Sequence, residues 1–579
     1  MAEKVTIKIN GKDYQVDGGI TVLEACKQAG IKIPTLCYLK DVNEIGACRV
    51  CVVEVKGARN LVASCVYPVS NGLEVCTNSA RVIKSRKTTI ELLLSNHNQE
   101  CTSCVRSNNC ELQKLAYEYG CDGHKYEGEK QRFEEDVTDY LVRDNSKCVL
   151  CRRCISVCKK RQSVAVIGAN DRGFNTNIGC TFGKSLNEVP CVACGQCINA
   201  CPTGALRERD NIDDVLKHVF DKDKFVVVAP APSVRVALGE EFGMPIGTNV
   251  EGKMIAALRR IGFDRVFDVN FAADLTIMEE GTEFIHRLTE GGVLPMITSC
   301  SPGWINYIEQ YYPEFLPNLS TCKSPQQMYG ATVKAYYASK FGIPLDKLVV
   351  VSIMPCVAKK KELKRPYQSA VKSHKDVDYS LTTRELARMI KRMGIDFVNL
   401  PDEKCDSILG EASTAGFLFG ATGGVMEAAL RTVKEVVEKK PLDKIDFEAV
   451  RGTEGIKRAT VEVAGKPVRI CVASGIANAK IIMEEMKNGT AAYDFIEIMC
   501  CPGGCVNGGG QPQQPASVQN SVDIRALRAK AMYTADEKGV IRKSHENPEI
   551  IALYKDFYGE PNSHLAHECL HTKYINRKR

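Results

Sequence analysis

The sequence predicts a multidomain protein, α+β in its front part and α/β in the remainder, on three observations. At 579 residues the chain is too long for one hydrophobic core, so several domains are expected. Cysteines at short, regular spacings crowd residues 37–201, among brief apolar runs and few helical stretches. From about residue 210 apolar, bounded runs alternate with amphipathic stretches, as buried parallel strands and covering helices do.

Composition narrows the class. The chain is 44% hydrophobic and 25% charged, with no apolar run of membrane-spanning length, so no membrane partner is expected. The start, "MAEKVTIKING", carries neither an apolar leader core nor a twin-arginine signal, which points to the cytoplasm. In that reducing compartment 28 cysteines read as metal ligands rather than a disulfide framework. The formal charge of +7 gives slight support for an acidic protein partner, and nothing points to nucleic acid.

Residues 1–80 read as short strands with one helix. "KVTIKINGKDYQV" is a hairpin with Asn-Gly at its turn, and "TVLEACKQAGI" is helical. Cys37, Cys48, Cys51 and Cys65 follow with spacing C-x10-C-x2-C-x13-C. Four thiolates on a small β-rich domain suit a 2Fe–2S cluster; a four-cysteine zinc site is the competing reading. Residues 81–125 hold helical "KSRKTTIELLLS" and then His97, Cys101, Cys104 and Cys110, one imidazole and three thiolates for another metal centre.

Residues 126–209 contain two nearly identical runs. "CVLCRRCISVC" gives Cys148, Cys151, Cys154 and Cys158; "CVACGQCINACP" gives Cys191, Cys194, Cys197 and Cys201. C-x2-C-x2-C-x3-C-P is the bacterial ferredoxin run, in which the fourth cysteine serves the other cluster. One 4Fe–4S cluster is therefore assigned to Cys148, Cys151, Cys154 and Cys201, and a second to Cys191, Cys194, Cys197 and Cys158. A series of such centres in the first 210 residues reads as a wire for single electrons.

The back of the chain must then hold their destination. "KFVVVAPAP", "VLPMITS", "KLVVVSIMPC", "VRICVASG" and "YDFIEIMCC" read as parallel strands, with helices such as "EGKMIAALRRIGF" and "TTRELARMIKRMG" between them. Sites in such sheets form at the carboxyl ends of strands, and Cys300, Cys356 and the Cys500, Cys501, Cys505 group stand at three of those ends. The glycines of "CPGGCVNGGGQP" permit close backbone approach to a bulky group. No phosphate-loop or dinucleotide pattern accompanies them, which argues against nucleotide binding by this chain.

At this point the motifs resemble a known family. "TSCSPGW", "MPCVAKKKE" and "FIEIMCCPGGCVNGGGQP" are similar to the signatures of iron-only (FeFe) hydrogenases, TSCCPxW, MPCxxKxxE and ExMxCxxGCxxG. The likeness covers the whole chain and is closest to the single-chain, five-cluster clostridial type. It implies a β-grasp, plant-type ferredoxin-like module and bacterial ferredoxin-like modules, followed by a two-lobed α/β catalytic domain over 210–512 and a small-subunit-like segment over 513–579. It also implies one 2Fe–2S and four 4Fe–4S clusters. The last 4Fe–4S cubane is joined to a two-iron unit carrying CO, CN⁻ and azadithiolate, together the H-cluster.

By motif, Cys356, Cys501 and Cys505 correspond to cubane ligands, with Cys505 bridging to the two-iron unit. Lys359 corresponds to a donor to cyanide, and Ser233, Gln326, Met354 and Met499 to residues lining the pocket. The family's proton path corresponds to Cys300, Glu280, Ser320, Glu283 and Arg287. Glu280 and Glu283 stand at i and i+3, one helix face, which also suits a plain solvated surface. Arg287 equally suits an ordinary ion pair with Glu283.

One position departs from the pattern. Ser301 stands where the family has the fourth cubane cysteine, and Ser301–Pro302 also suits a helix N-cap and first turn. A hydroxyl is neither as acidic nor as soft as a thiol and matches iron poorly. Cys500, directly before Cys501, is a cysteine the common motif lacks. Three arrangements follow, in order of chemical preference: Cys500 replaces the missing ligand, Cys300 ligates, or Ser301 ligates as an alkoxide.

The resemblance implies reversible reduction of protons to H2 by a monomer, fed by ferredoxin or flavodoxin and loaded by maturation proteins. Competing readings are a subunit of an NAD(P)-linked bifurcating hydrogenase, an H2 sensor and an iron–sulfur assembly carrier. In the tail, His564, Cys569 and His571 mimic a metal site but read as packing and surface residues.

Overall fold

A computed structural model describes residues 3–126 and 128–578. The front sheet has five strands, and its first two, Lys4–Ile9 and Lys12–Asp17, form the expected hairpin. Asn10 and Gly11 both take positive φ (50° and 85°), the conformation a tight hairpin turn requires. Strand Glu74–Cys76 returns parallel to the first strand and antiparallel to Val52–Val55. Helix Val22–Gln28, capped by the Thr21 hydroxyl on the Glu24 amide at 3.3 Å, closes the core over Ile7, Ile9, Val53 and Val75.

Helices Ala80–Asn96 and Glu111–Tyr119 carry the next module. Two short helices, Arg153–Ser156 and Gln196–Ala200, follow in the paired runs. Asn43 ties these modules together: its amide donates to the carbonyls of Cys37 (2.7 Å) and Cys151 (3.0 Å). Arg153, fully buried, reaches Cys37 O at 3.3 Å and pairs with Glu111 at 2.7 Å.

The back of the chain holds two four-stranded sheets. In the first, Arg265–Val266, Phe225–Pro230, Leu348–Met354 and Tyr379–Thr382 lie side by side and all parallel. In the second, Met296–Ile297, Phe495–Met499 and Lys466–Ser474 are parallel, but Ile456–Val463 is antiparallel. That last strand departs from the all-parallel expectation. Its alternating burial over "IKRATVEV" is the period-2 signature of an edge hairpin, not of a buried strand. The strand expected over "VLPMITS" is only Met296–Ile297, because Pro295 has no N–H for the ladder.

Helix Val269–Glu290 runs between the sheets. Phe271 and Leu275 enter the core of the first, Ile277 and Phe284 that of the second. The C-terminal segment wraps this body. Arg528 pairs with Glu240 (2.7 Å), and fully buried Arg431 joins Asp536 (2.8 Å) to Glu427 (2.7 Å). Among the described residues no helix is long and apolar enough to cross a membrane.

Candidate active site

The carboxyl ends of Phe225–Pro230, Leu348–Met354 and Phe495–Met499 face one largely buried cavity. Ser233, Cys300, Ser301, Gln326, Met354, Cys356, Lys359, Met499, Cys500, Cys501 and Cys505 all line it. Residues far apart in sequence thus meet because three strands end together.

Lys359 is fixed rather than free. Its ammonium donates to Glu362 at 3.0 Å and to the Cys300 carbonyl at 3.2 Å. Glu362 also accepts from Gln326 (2.9 Å) and Ser324 (3.0 Å), so one carboxylate holds two cavity-lining groups, Lys359 and Gln326, and Ser324 beside them. Sequence reading gave Glu362 no role, although it is the last letter of "MPCVAKKKE". Glu497, the glutamate of "FIEIM", was likewise passed over. It is buried and accepts the amides of Gly423 (2.7 Å) and Met426 (2.8 Å), holding the start of helix Gly424–Glu438 against the strand.

Burial pushes Cys505 up to about 12 and Cys356 further, the neighbouring thiols add to this, and the Lys359 ammonium opposes it. Such crowded buried thiols are costly to ionise alone and are relieved by cations, so they fit iron. Ser301 does start helix Pro302–Tyr311, but its hydroxyl caps nothing there. It accepts the Cys500 amide at 3.1 Å instead. Strand Phe495–Met499 ends just before Cys500, so the backbone turns at that residue. The Cys500 side chain lies within reach of Cys194 and Cys501 and packs over Gly303, where an added Cβ would meet its sulfur at 2.5 Å.

From Cys300 a chain of acids leaves the cavity. Cys300 is buried with its thiol pushed well up by burial, then by Glu280. Glu280 is fully buried, and neither carboxyl oxygen has a hydrogen-bond partner among the described residues. Burial, then the Glu283 charge, raises it to about 8, so it is protonated at neutral pH. Ser320 lies beyond it and donates to Glu283 at 2.9 Å. Arg287 pairs with Glu283 at 2.6 Å and donates to the carbonyls of Leu319 (2.8 Å) and Asn318 (3.3 Å). The expected ion pair therefore exists, and the helix face carrying Glu280 is buried rather than solvated.

The front modules bring their cysteines together as spaced. Cys148, Cys151, Cys154 and Cys201 line one cavity; Cys158, Cys191, Cys194 and Cys197 line another. In both, the fourth cysteine comes from the other run. Cys51 and Cys65 sulfurs stand 3.4 Å apart, with Cys37 beside Cys48 and Cys65. His97 follows helix Ala80–Asn96 with Nδ1 buried and unpartnered among the described residues. Burial lowers its pKa to about 4, so the ring is neutral, as a ligand must be. Cys104 and Cys110 are neighbours, and Cys101 opens the short turn before Cys104. These donor sets fit iron–sulfur clusters.

The glycine run serves a neighbour that the sequence did not reveal. A Cβ on Gly509 would meet Cys194 O at 2.3 Å and Gly195 Cα at 2.6 Å, and one on Gly508 would meet Pro355 O at 2.2 Å. The close approach is backbone to backbone. Gln196 and Asn199 extend it, donating to the carbonyls of Asn507 (2.7 Å) and Gly508 (3.0 Å). The loop of the last front cavity is thus seated on the cavity motif itself.

Comparison with known proteins adds the following. Residues 224–509 match the model for the iron-only hydrogenase large subunit, C-terminal domain, and 522–577 that for the iron hydrogenase small subunit. Residues 2–80 match a 2Fe–2S binding domain, 86–124 an NADH-ubiquinone oxidoreductase-G iron–sulfur region, and 186–207 a 4Fe–4S binding domain. The chain is 47% identical to an NADP-reducing hydrogenase subunit of Solidesulfovibrio fructosivorans, over 99% of both chains. It is 42% identical to iron hydrogenase 1 of Clostridium pasteurianum, over 98% of this chain and 99% of that one. An apo FeFe-hydrogenase structure from Chlamydomonas reinhardtii aligns with TM-score 0.57 at 41% identity, covering 64% of this chain and 100% of that one.

Proposed function

The chain belongs to the iron-only hydrogenase family, and on that premise we propose how its own residues carry out 2H⁺ + 2e⁻ ⇌ H2. It is an oxidoreductase acting on H2, with iron–sulfur clusters and an H-cluster. The observation that carries the assignment of roles is the meeting of Cys356, Cys501, Cys505 and Lys359 in one buried cavity, with an acid chain on one side and Cys194 on the other.

Cys356, Cys501 and Cys505 hold the cubane, and Cys500 supplies the fourth thiolate in place of Ser301. Met354 and Met499 pack softly around the group, while Ser233 and Gln326 shape its pocket. The H-cluster supplies the two-electron chemistry of H2, with its CO, CN⁻ and azadithiolate ligands. Lys359, oriented by Glu362, presents a cation to an anionic ligand. Cys300 exchanges a proton with Glu280, which at about 8 is poised for transfer near neutral pH. Ser320 passes it to Glu283, and Arg287 sets the outer end of the path.

Electrons enter through the front modules: a 2Fe–2S cluster on a β-grasp, plant-type ferredoxin-like domain (1–80), the His97 cluster (81–125) and two bacterial ferredoxin-type clusters (126–209). The interleaved cavities and the seating of Gly195 on Gly509 support the last steps of that order. A two-lobed catalytic domain (210–512) and a C-terminal segment (513–579) complete the division. Reduced ferredoxin or flavodoxin is the electron donor, and maturation proteins insert the two-iron unit. A second reading is favoured by the 47% identical relative named as a subunit: the chain works beside a partner that handles NADP. Turnover separates the two. Matured protein alone should evolve H2 from reduced ferredoxin and elute as a monomer; activity only with a nucleotide-linked partner would favour the second.

A further inference from the structure

The tail brings unassigned metal-ligating groups to the proton path. Leu570–Thr572 lies antiparallel to Thr321–Lys323: the Lys323 amide donates to Leu570 O and the Thr572 amide to Thr321 O, both at 2.8 Å. His571 is thereby set beside Cys322. A Glu283 oxygen, the Cys322 sulfur and a His571 ring nitrogen all lie within 4.8 Å of one another, with Cys322 and His571 buried. The Cys322 thiol points to Glu283 at 3.7 Å. His571 Nε2 faces Glu279 at 3.0 Å and Nδ1 faces the Thr321 hydroxyl at 2.7 Å. Of the tail residues read as a mimic of a metal site, His564 is exposed and Cys569 is packed in the core, while His571 reaches the proton path.

Packing alone accounts poorly for this set. Burial, and then the charges of Glu283, Glu280 and Glu279, push the Cys322 thiol well up, and a cation at this point would relieve both the thiol and the acids around it. A thiol, an imidazole and a carboxylate are the mixed donor set that zinc prefers, at about 2.0–2.3 Å and in tetrahedral geometry. Magnesium and calcium, which take oxygen ligands, suit it poorly. The Glu279 carboxylate on one ring nitrogen orients the imidazole as carboxylates do for metal-bound histidines.

We propose that Glu283, Cys322 and His571 form an inhibitory site for a divalent cation of the zinc class, and that metal there closes the proton path at Glu283. This rests on the proton-path reading above. On binding, the Cys322 proton leaves to solvent, His571 Nδ1 gives up the Thr321 hydroxyl while Nε2 keeps Glu279, and zinc exchanges water ligands for sulfur, nitrogen and carboxylate oxygen. Glu283 gives up its acceptor role toward Ser320, and no electrons move.

The test uses fully matured protein and zinc chloride. The Zn K-edge absorption spectrum should show one sulfur among nitrogen and oxygen ligands, with iron content unchanged, and H2 evolution should fall by about 10²-fold, as one blocked acid–base step costs. Cys322→Ala and His571→Ala should keep basal turnover and lose both the zinc response and the sulfur signal. Cys322→Ser serves where alanine does not fold. Equal zinc sensitivity in these variants, or loss of iron on zinc treatment, would overturn the site. Zinc bound through sulfur with turnover unchanged would keep the site and overturn both the blocking role and the placement of Glu283 in the path.

Discussion

The two interleaved cavities at the front and the single cavity at the back solve one problem differently. At the front, each set of four sulfurs comes from two short runs, and every donor is a cysteine. At the back, the cysteines come from the ends of two distant strands, Leu348–Met354 and Phe495–Met499, and Ser301 stands in the motif position that resembles a ligand cysteine. Local spacing suffices for a centre that only passes electrons. A centre that also needs protons must be assembled from distant elements, so that its walls can carry a relay.

The largest expected effect breaks the back cavity alone. Cys505→Ala should abolish H2 turnover while the front clusters keep their electron paramagnetic resonance signals, since Cys505 lines the back cavity and neither of the two front ones. Loss of all signals together would make the two regions one folding unit. Next comes the relay. Cys300→Ala should leave every cluster present and cut turnover by ~10²–10⁴-fold. Loss of the cubane instead would make Cys300 a ligand.

Glu280→Gln should lower turnover by at least ~10²-fold and flatten its pH profile near 8. The stability sign is fixed by the same shift. Glu280 binds its proton up to about 8 in the fold but only to 4.5 when unfolded, so stability is lost as pH rises across that window. Thermal melts of the glutamine variant should lose that slope; an unchanged slope would place the titration elsewhere.

Cys500→Ala sharpens the comparison at its weakest point. It should deplete the cubane, and adding Ser301→Cys should restore it, read as iron content and resonance signal. Unchanged cubane in Cys500→Ala, with loss in Ser301→Ala, would give the position to the serine. The smallest effect is at the junction. Gly509→Ala forces a methyl onto Cys194 O and should cost about 1–3 kcal/mol, slowing ferredoxin-driven turnover more than that driven by a small dye.

Much of this was legible in the sequence, for identifiable reasons. The C-x2-C-x2-C-x3-C runs carry their own pairing, and Asn10–Gly11 carries its own turn. Cys300, Cys356 and Cys505 were legible as strand ends, but their meeting was not: no local period links them, and only the family motifs joined them. Glu362 stayed hidden because a glutamate among lysines in "AKKKE" reads as a solvated helix face, yet it is buried under three donors. The glycines of 508–510 announced close approach without naming the loop they meet. His571 reads as packing in the sequence because Cys322 and Glu283, the residues it joins, lie far back in the chain.

The most direct test of the central claim, that Cys356, Cys501 and Cys505 build the catalytic centre where wire and relay meet, is infrared spectroscopy of protein matured with the two-iron unit. CO and CN⁻ bands should appear in the parent protein, shift in Lys359→Ala and vanish in Cys505→Ala. A parent protein with a full complement of iron–sulfur clusters but no such bands, or bands that persist unchanged in Cys505→Ala, would contradict it.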